Sequence, residues 1–311
     1  MKKRKLDLIV PVFNEEKNIQ LFINKATSSL AEIGEYKIIF CLDPCSDNTE
    51  HIILSNIKKN NSLALIKMSR RFGQPTAVMV GIKNSYSDYV AIIDADDQDP
   101  PEVILDLYKK AQEGYDVVLA KRTKRDGESI LKKFISYVGY RIINFLSDIK
   151  IEPDVGDFRI ISHKVVKHLS QINEPSPFLR GLVSYIGFKT AIYEYERKKR
   201  YEGKGNYNRY FGSYQIGTNG IFSFSTKLLS YILFSGLFVC LVSFFFLLFI
   251  FFNYFFGLNT YPLGYPSTMI AIFFFGGVQL IAIGILGEYV GRIYDQVKNR
   301  PHYIVEKKIN L

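Results

Sequence analysis

The stretch YVAIIDADDQDPPE, Tyr89–Glu102, sets four aspartates within six positions at the end of an apolar run and closes on two prolines. Carboxylates crowded this closely repel one another unless a cation or a cationic side chain lies among them. The apolar part reads as a buried strand, and Pro100 and Pro101 suit the start of a helix. A strand that delivers charge to its carboxyl end and turns at once into a helix is the signature of an α/β sheet with a ligand site along that edge.

Working outward, the residues from Leu6 to Arg122 repeat this design. The strands predicted are LDLIVPVF, YKIIFCLD, LALIKMS, YVAIIDA and DVVLAKR. Between them lie NEEKNIQLFINKATSSL, SDNTEHIILSNIKKN, QPTAVMVGIKNS and PEVILDLYKKAQEG, each with apolar residues at helical spacing. Continuous apolar strands alternating with amphipathic helices predict an α/β fold with a mostly parallel sheet covered on both faces. A less regular part follows, 123–201, with the segments LKKFISYVGYRIINFLSD, PDVGDFRIISHKVVKHL and FLRGLVSYIG.

Charge is unevenly spread. Lys and Arg number 40 against 30 Asp and Glu, a formal +10, yet no charged residue occurs from Leu228 to Gly287. Such a run accommodates two membrane spans of about 20 residues each. The expected division is a catalytic domain over 1–206, an aromatic, Gly-rich interfacial segment over 207–227, transmembrane helices over 228–252 and 268–289, and a cytoplasmic tail over 290–311. Lys and Arg flank the outer ends of the two spans while the turn between them has none, so both termini are expected in the cytoplasm, with the protein multi-pass in the cell membrane. The excess basic charge then faces anionic lipid, and no nucleic-acid partner is expected. Cys41, Cys45 and Cys240 form neither a disulfide framework nor a zinc pattern. The opening MKKRKLDLIVPVFNEE reads as a first strand and not as an export signal.

Four strand ends carry polar or constrained residues: Pro11-Val12-Phe13-Asn14-Glu15, then Asp43, then Ser69-Arg70-Arg71, then Asp94-Ala95-Asp96. Singly these are ordinary turn formers; together on one sheet edge they mark a site. Asp94 and Asp96 share a side if strand geometry persists, and with Gln98 they make a hard oxygen site suited to Mg²⁺ or Mn²⁺. Mg²⁺ keeps few protein ligands and shares the rest with phosphate and water, so a nucleotide diphosphate is its natural companion.

The segments VPVFNEEKNI, DADDQDPPE, GDFRIISHKVV, FLRGLVSYIGF and GEYVGRIYDQV together resemble the family-2 glycosyltransferases that act on polyprenyl phosphates. The resemblance runs in order over nearly the whole chain. It implies a nucleotide-diphospho-sugar transferase (GT-A-like) domain followed by a two-helix hairpin, with an inverting transfer of a hexose, glucose and a UDP donor favoured, to a polyprenyl phosphate of the cell envelope. It also implies that Pro11, Phe13, Glu15 and Asp43 border the base and ribose, and that Asp94, Asp96 and Gln98 surround the diphosphate and its metal. Asp157 of Gly156-Asp157-Phe158-Arg159 falls where the family has its candidate catalytic carboxylate, with Asp96 as the second catalytic candidate. A phosphate acceptor is largely ionised near neutral pH, so Asp157 is expected to orient and not to deprotonate. Alternatively, Asp157 merely pairs with Arg159 or caps the following helix. Among the cations, Arg122 is assigned to the nucleotide sugar, and Arg125, Arg200 and Lys204 to the acceptor phosphate, against the reading of a solvated basic surface.

The chain departs from the family at Leu42-Asp43-Pro44-Cys45, at Ser69-Arg70-Arg71-Phe72-Gly73 and at Gly203-Lys204-Gly205-Asn206-Tyr207. These changes leave the donor open to mannose, an N-acetylhexosamine or an aminopentose, and the assembly open to a homo-oligomer. A processive synthase is disfavoured because the chain has no Trp for a Gln-x-x-Arg-Trp motif. A nucleotidyltransferase and a non-catalytic scaffold are the remaining rivals.

Overall fold

Eight strands form one sheet in the computed structural model, which describes residues 4–123, 141, 144–147, 152–153, 155–174, 177–196, 222, 224–225, 227–256 and 264–311. In chain order the elements are β1 (Arg4–Val12), α1 (Ile19–Leu30), β2 (Tyr36–Leu42), α2 (Thr49–Ile57), β3 (Leu63–Met68), α3 (Gln74–Lys83), β4 (Ser87–Ile92), α4 (Val103–Gln112) and β5 (Val117–Arg122). There follow β6 (Val155–Ser162), α5 (His163–Gln171), α6 (Leu179–Ile186), β7 (Thr190–Tyr195), the long helices α7 (Lys227–Phe255) and α8 (Tyr265–Val297), and β8 (Val305–Ile309).

The spatial order is β7-β5-β6-β4-β1-β2-β3-β8. Strands β4, β1, β2 and β3 are mutually parallel, which the expected β–α alternation requires. Pleating divides their side chains between two faces. Leu6, Leu8 and Val10 meet Ile38, Phe40, Leu63 and Leu65 in a core that also takes Phe22 and Ala26 of α1 and Leu107 of α4. Ile9 and Cys41 point the other way, toward α3. There Gly81 brings the helix so near the sheet that an added Cβ would stand 2.5 Å from Ile9 Cγ2 and 3.0 Å from Cys41 Sγ. A buried carboxylate, Asp7, ties the start of β1 to the turn that leads into β4. Arg4 Nε donates to it at 2.7 Å, Ser85 Oγ at 2.6 Å and the Tyr86 N–H at 3.1 Å.

Three strands were not foreseen in the sequence. β6 lies between β4 and β5 and runs antiparallel to both. Arg159 interrupts its apolar pattern yet is only 1% exposed. Its guanidinium is satisfied by the carbonyls of Gly156 at 2.8 Å and Asp157 at 3.2 Å, which makes an interior arginine tolerable. β7 and β8 are edge strands, and edges carry alternating or charged residues that weaken the apolar signal.

The expected tail over 290–311 needs correction. Its first part completes α8, while Val305–Ile309 pairs antiparallel with β3. Lys67 bridges Glu50 at 3.2 Å and Glu306 at 3.4 Å, and Asn310 Nδ2 donates to the Leu63 carbonyl at 2.7 Å. The chain accordingly forms two compact units, 1–223 with 301–311, and 224–300. Within the second unit, one helix among the described residues is long and apolar enough to cross a membrane, Phe274–Val297, and none of its apolar window is buried. That stretch overlaps the expected span over 268–289, and α8 contains both. The expected span over 228–252 coincides with α7, a continuous helix many of whose side chains lie outside the described residues. The interfacial segment expected over 207–227 lies almost wholly outside them.

Replacing Gly81 tests the closeness of α3 to the sheet. Gly81→Ala should destabilise the protein by about 1–3 kcal/mol, the cost of overpacking a filled core. The expected observation is a lower unfolding temperature with far-UV circular dichroism unchanged, and an unfolding temperature equal to wild type would show that the helix yields freely.

Candidate active site

The carboxyl ends of the parallel strands and the amino end of antiparallel β6 meet along one edge of the sheet. At the end of β1, Pro11 stands in register with Cys41 of β2. Asn14 then takes a left-handed φ of 52°, closed by Asn14 Nδ2 donating to Ser46 Oγ and the Ser46 N–H donating to Asn14 Oδ1. This reversal turns Glu15 toward α1, where its carboxylate accepts a 2.6 Å bond from Asn18 Nδ2. Phe13 carries the Arg71 guanidinium 4.0 Å above its ring. Asp43, almost wholly buried, accepts the N–H groups of Phe72 at 2.9 Å and Gly73 at 3.0 Å, one on each carboxylate oxygen. It thereby fastens the loop after β3 to the end of β2.

The four aspartates after β4 each meet a partner. Asp97 receives Lys25 Nζ at 2.7 and 2.6 Å. Asp99 accepts the Tyr195 hydroxyl and lies 3.5 Å from Arg122 Nη2. Burial and the neighbouring Asp99 push the Tyr195 hydroxyl well up, so it keeps its proton and donates. Asp94 accepts a hydrogen bond from Gln74 Nε2 at 2.7 Å, and Asp96 accepts one from the Gln98 N–H at 3.1 Å. Burial, with Asp96 and Asp99 next, pushes the Asp94 carboxyl well above its usual range. A cation at this position would relieve that repulsion. Among the described residues no group of three or more His, Cys, Asp and Glu surrounds a point.

Asp157 reaches the same edge because β6 runs backwards: Ile92 of β4 stands opposite Arg159. Arg180 of α6 donates from Nε to Asp157 Oδ1 at 3.0 Å, and Arg159 Nη2 lies 3.8 Å from the same oxygen. Burial raises the Asp157 carboxyl, but Arg180 and Arg159 together outweigh it and hold the group below the ordinary carboxylate range. Beside it, Gly156 makes room for Arg122; a Cβ there would stand 2.7 Å from Arg122 Nη2.

Of the residues picked out in the sequence, Pro11, Phe13, Glu15, Asp43, Asp94, Asp96, Gln98, Arg122 and Asp157 all lie on or beside this edge. Arg125, Arg200 and Lys204 fall outside the described residues. The pairing of Asp157 with Arg159 exists but is the longer of two contacts. Arg180, Tyr195 and Lys25 were missed as participants. Only Arg180 had a signal, the FLRG segment, since the other two meet their aspartates across long stretches of chain.

Comparison with known proteins gives this arrangement its relatives. Residues 7–170 match the model of glycosyl transferase family 2. The chain is 40% identical over 305 residues to the SfII prophage-derived bactoprenol glucosyl transferase of Shigella flexneri, covering 97% of this chain and 98% of that protein. It is 38% identical over 305 residues to a prophage bactoprenol glucosyl transferase homolog of Escherichia coli, covering 97% and 99%. Among solved structures, S. aureus TarS in complex with UDP-GlcNAc overlays 71% of this chain and 67% of its own at a TM-score of 0.48 and 20% identity.

The lowered Asp157 carboxyl has a consequence with a definite sign. A carboxylate whose folded value is depressed adds stability above the unfolded value, about 3.9, and loses it as pH falls through the folded one. Asp157→Asn should thus lower the unfolding temperature at neutral pH, and the gap to wild type should close only below about pH 4. Melting curves of both proteins across that range test this, and a gap that closes already between about pH 6 and 5, roughly one to two units above an ordinary Asp, would contradict the ion pairs.

Proposed function

The chain belongs to glycosyl transferase family 2 and is a glycosyltransferase, and on that premise we propose that it transfers a hexose from a UDP-sugar to a polyprenyl phosphate at a membrane surface. The observation that carries this reading is the pairing of two carboxylates, Asp94 and Asp96, with an arginine-held Asp157 on one sheet edge, in a chain whose full-length relatives include bactoprenol glucosyl transferases.

Asp94 and Asp96, with Gln98 beside them, would hold Mg²⁺ or Mn²⁺. The cation, when bound, supplies positive charge against the departing diphosphate. Pro11, Phe13, Glu15 and Asp43 line the base and ribose end. The acceptor phosphate, with a second pKa of about 6, is ionised at neutral pH. One of its oxygens forms the new bond to the anomeric carbon, and the nucleoside diphosphate leaves with the bonding pair, inverting the centre. No proton has to be removed. Asp157 suits such a reaction, because a carboxylate held low by two arginines is a weak base and a fixed acceptor for sugar hydroxyls. Arg122 serves the nucleotide sugar, Arg180 holds Asp157 in place, and Arg125, Arg200 and Lys204, as read from the sequence, receive the acceptor phosphate.

The membrane reading rests on α8, whose apolar window is fully exposed, and on the return of the chain to the first unit at 301. A chain that leaves one folded body and rejoins it crosses a bilayer an even number of times. Helix α7, free of charge beyond Lys227, is then the companion crossing, and both termini lie on the cytoplasmic side. Such anchoring keeps the enzyme in the plane of its lipid acceptor and raises effective concentration without new contacts.

Incubation of the purified full-length protein with polyprenyl phosphate and a panel of UDP-sugars should release UDP in step with a polyprenyl-phosphoryl sugar identified by mass. Asp96→Ala should lower the rate at least about 10²-fold, the scale of losing a charge-stabilising group. Release of pyrophosphate in place of the nucleoside diphosphate would mean nucleotidyl transfer. The proposed anchor has its own test. A chain in which a Gly/Ser linker replaces 224–300, keeping β8 on its sheet, should retain UDP-sugar binding. It should lose more activity toward long polyprenyl phosphate in vesicles than toward a short soluble prenyl phosphate, and equal losses would assign the helices a part in the site itself.

A further inference from the structure

We propose that Lys25 is a positioning residue for the cation-binding turn, acting through Asp97, an inference that rests on the reading of Asp94 and Asp96 as the holders of a divalent cation. Asp97 lies between Asp96 and Gln98 and has a left-handed φ of 57°, a conformation that Asp and Asn adopt more readily than other residues with a side chain. Its side chain is fixed from outside the turn. Lys25 Nζ donates to both Asp97 oxygens, at 2.7 and 2.6 Å, with the Asp97 side chain 9% exposed. Lys25 is itself delivered by a fixed element, since Phe22, Ile23, Ala26 and Leu30 of α1 are buried in the core. The turn held this way is the one that lets the Gln98 N–H reach Asp96 Oδ1 at 3.1 Å. Orientation of a ligating carboxylate is thereby set from a helix 72 residues away in the chain. Groups that orient metal ligands in this manner, without touching the metal, set its affinity.

The test uses full-length protein in detergent and reads Mn²⁺ binding from the loss of the free-ion electron paramagnetic resonance signal, with UDP present. Wild type should bind and Asp96→Ala should not. Lys25→Met with Asp97→Asn removes the tether while leaving net charge unchanged, and asparagine still tolerates the left-handed turn. This pair should bind Mn²⁺ about tenfold more weakly. UDP affinity measured in chelator should stay at the wild-type value, which a general loss of structure would not leave intact. Lys25→Met alone serves as a second variant, because loss of a cation by itself strengthens a divalent site, so weaker binding there reports lost position. Wild-type or tighter Mn²⁺ binding in whichever of these variants remains folded would overturn the role of Lys25 and leave the cation site standing. Absence of Mn²⁺ binding in wild type would overturn the cation site and the role of Lys25 with it.

Discussion

Like charges gathered at the end of a buried strand must each find a reason to stay ionised, and the architecture of the candidate site follows from how they do so. Asp97 and Asp99 are met by Lys25 and Arg122, side chains from α1 and β5 that arrive from either side of β4. Asp94 accepts a hydrogen bond from the Gln74 amide and Asp96 one from the Gln98 N–H, contacts that orient each carboxylate. Burial and the neighbouring aspartates raise the Asp94 carboxyl, a strain that a cation beside it would relieve. Asp157 repeats the logic, with Arg180 and Arg159 holding it ionised at the same edge.

The reversal of β6 is what allows that convergence. A strand inserted parallel between β4 and β5 would carry Asp157 to the opposite edge of the sheet. Running antiparallel, it presents its amino end beside the carboxyl ends of its neighbours, and Gly156 leaves the space that the Arg122 guanidinium occupies. Arg159, buried in the same strand, bonds the carbonyls of Gly156 and Asp157 and so stiffens the segment that bears the carboxylate.

The central parallel strands were legible because burial on both faces writes an unbroken apolar run, as in LDLIVPVF and YKIIFCLD. Their ends were legible because charge at the tip of such a run has no packing purpose. β6 escaped notice because an interior arginine disguises it, and β8, VEKKI, because an edge strand beside solvent needs few apolar residues. Asp157 was found through its motif, whereas the partners Lys25 and Tyr195 depend on contacts that no local pattern encodes. Asp43, expected beside the base and ribose, holds backbone amides of the loop after β3 on both its oxygens, a structural part that the sequence did not announce.

The pairing of β8 with β3 bears on how the protein is made. The last strand of the catalytic sheet is synthesised after both long helices, so while the ribosome is still working the edge of β3 lacks its neighbour. A nascent chain in that condition presents an open row of amides and carbonyls, the template on which strands of other chains pair. The sheet can be completed only once α7 and α8 have left the ribosome and Val305–Ile309 follows them out. Maturation of the enzyme is therefore tied to the fate of its helices, and a chain stalled or cleaved before Val305 would stay incomplete at an element far in sequence from the aspartates after β4.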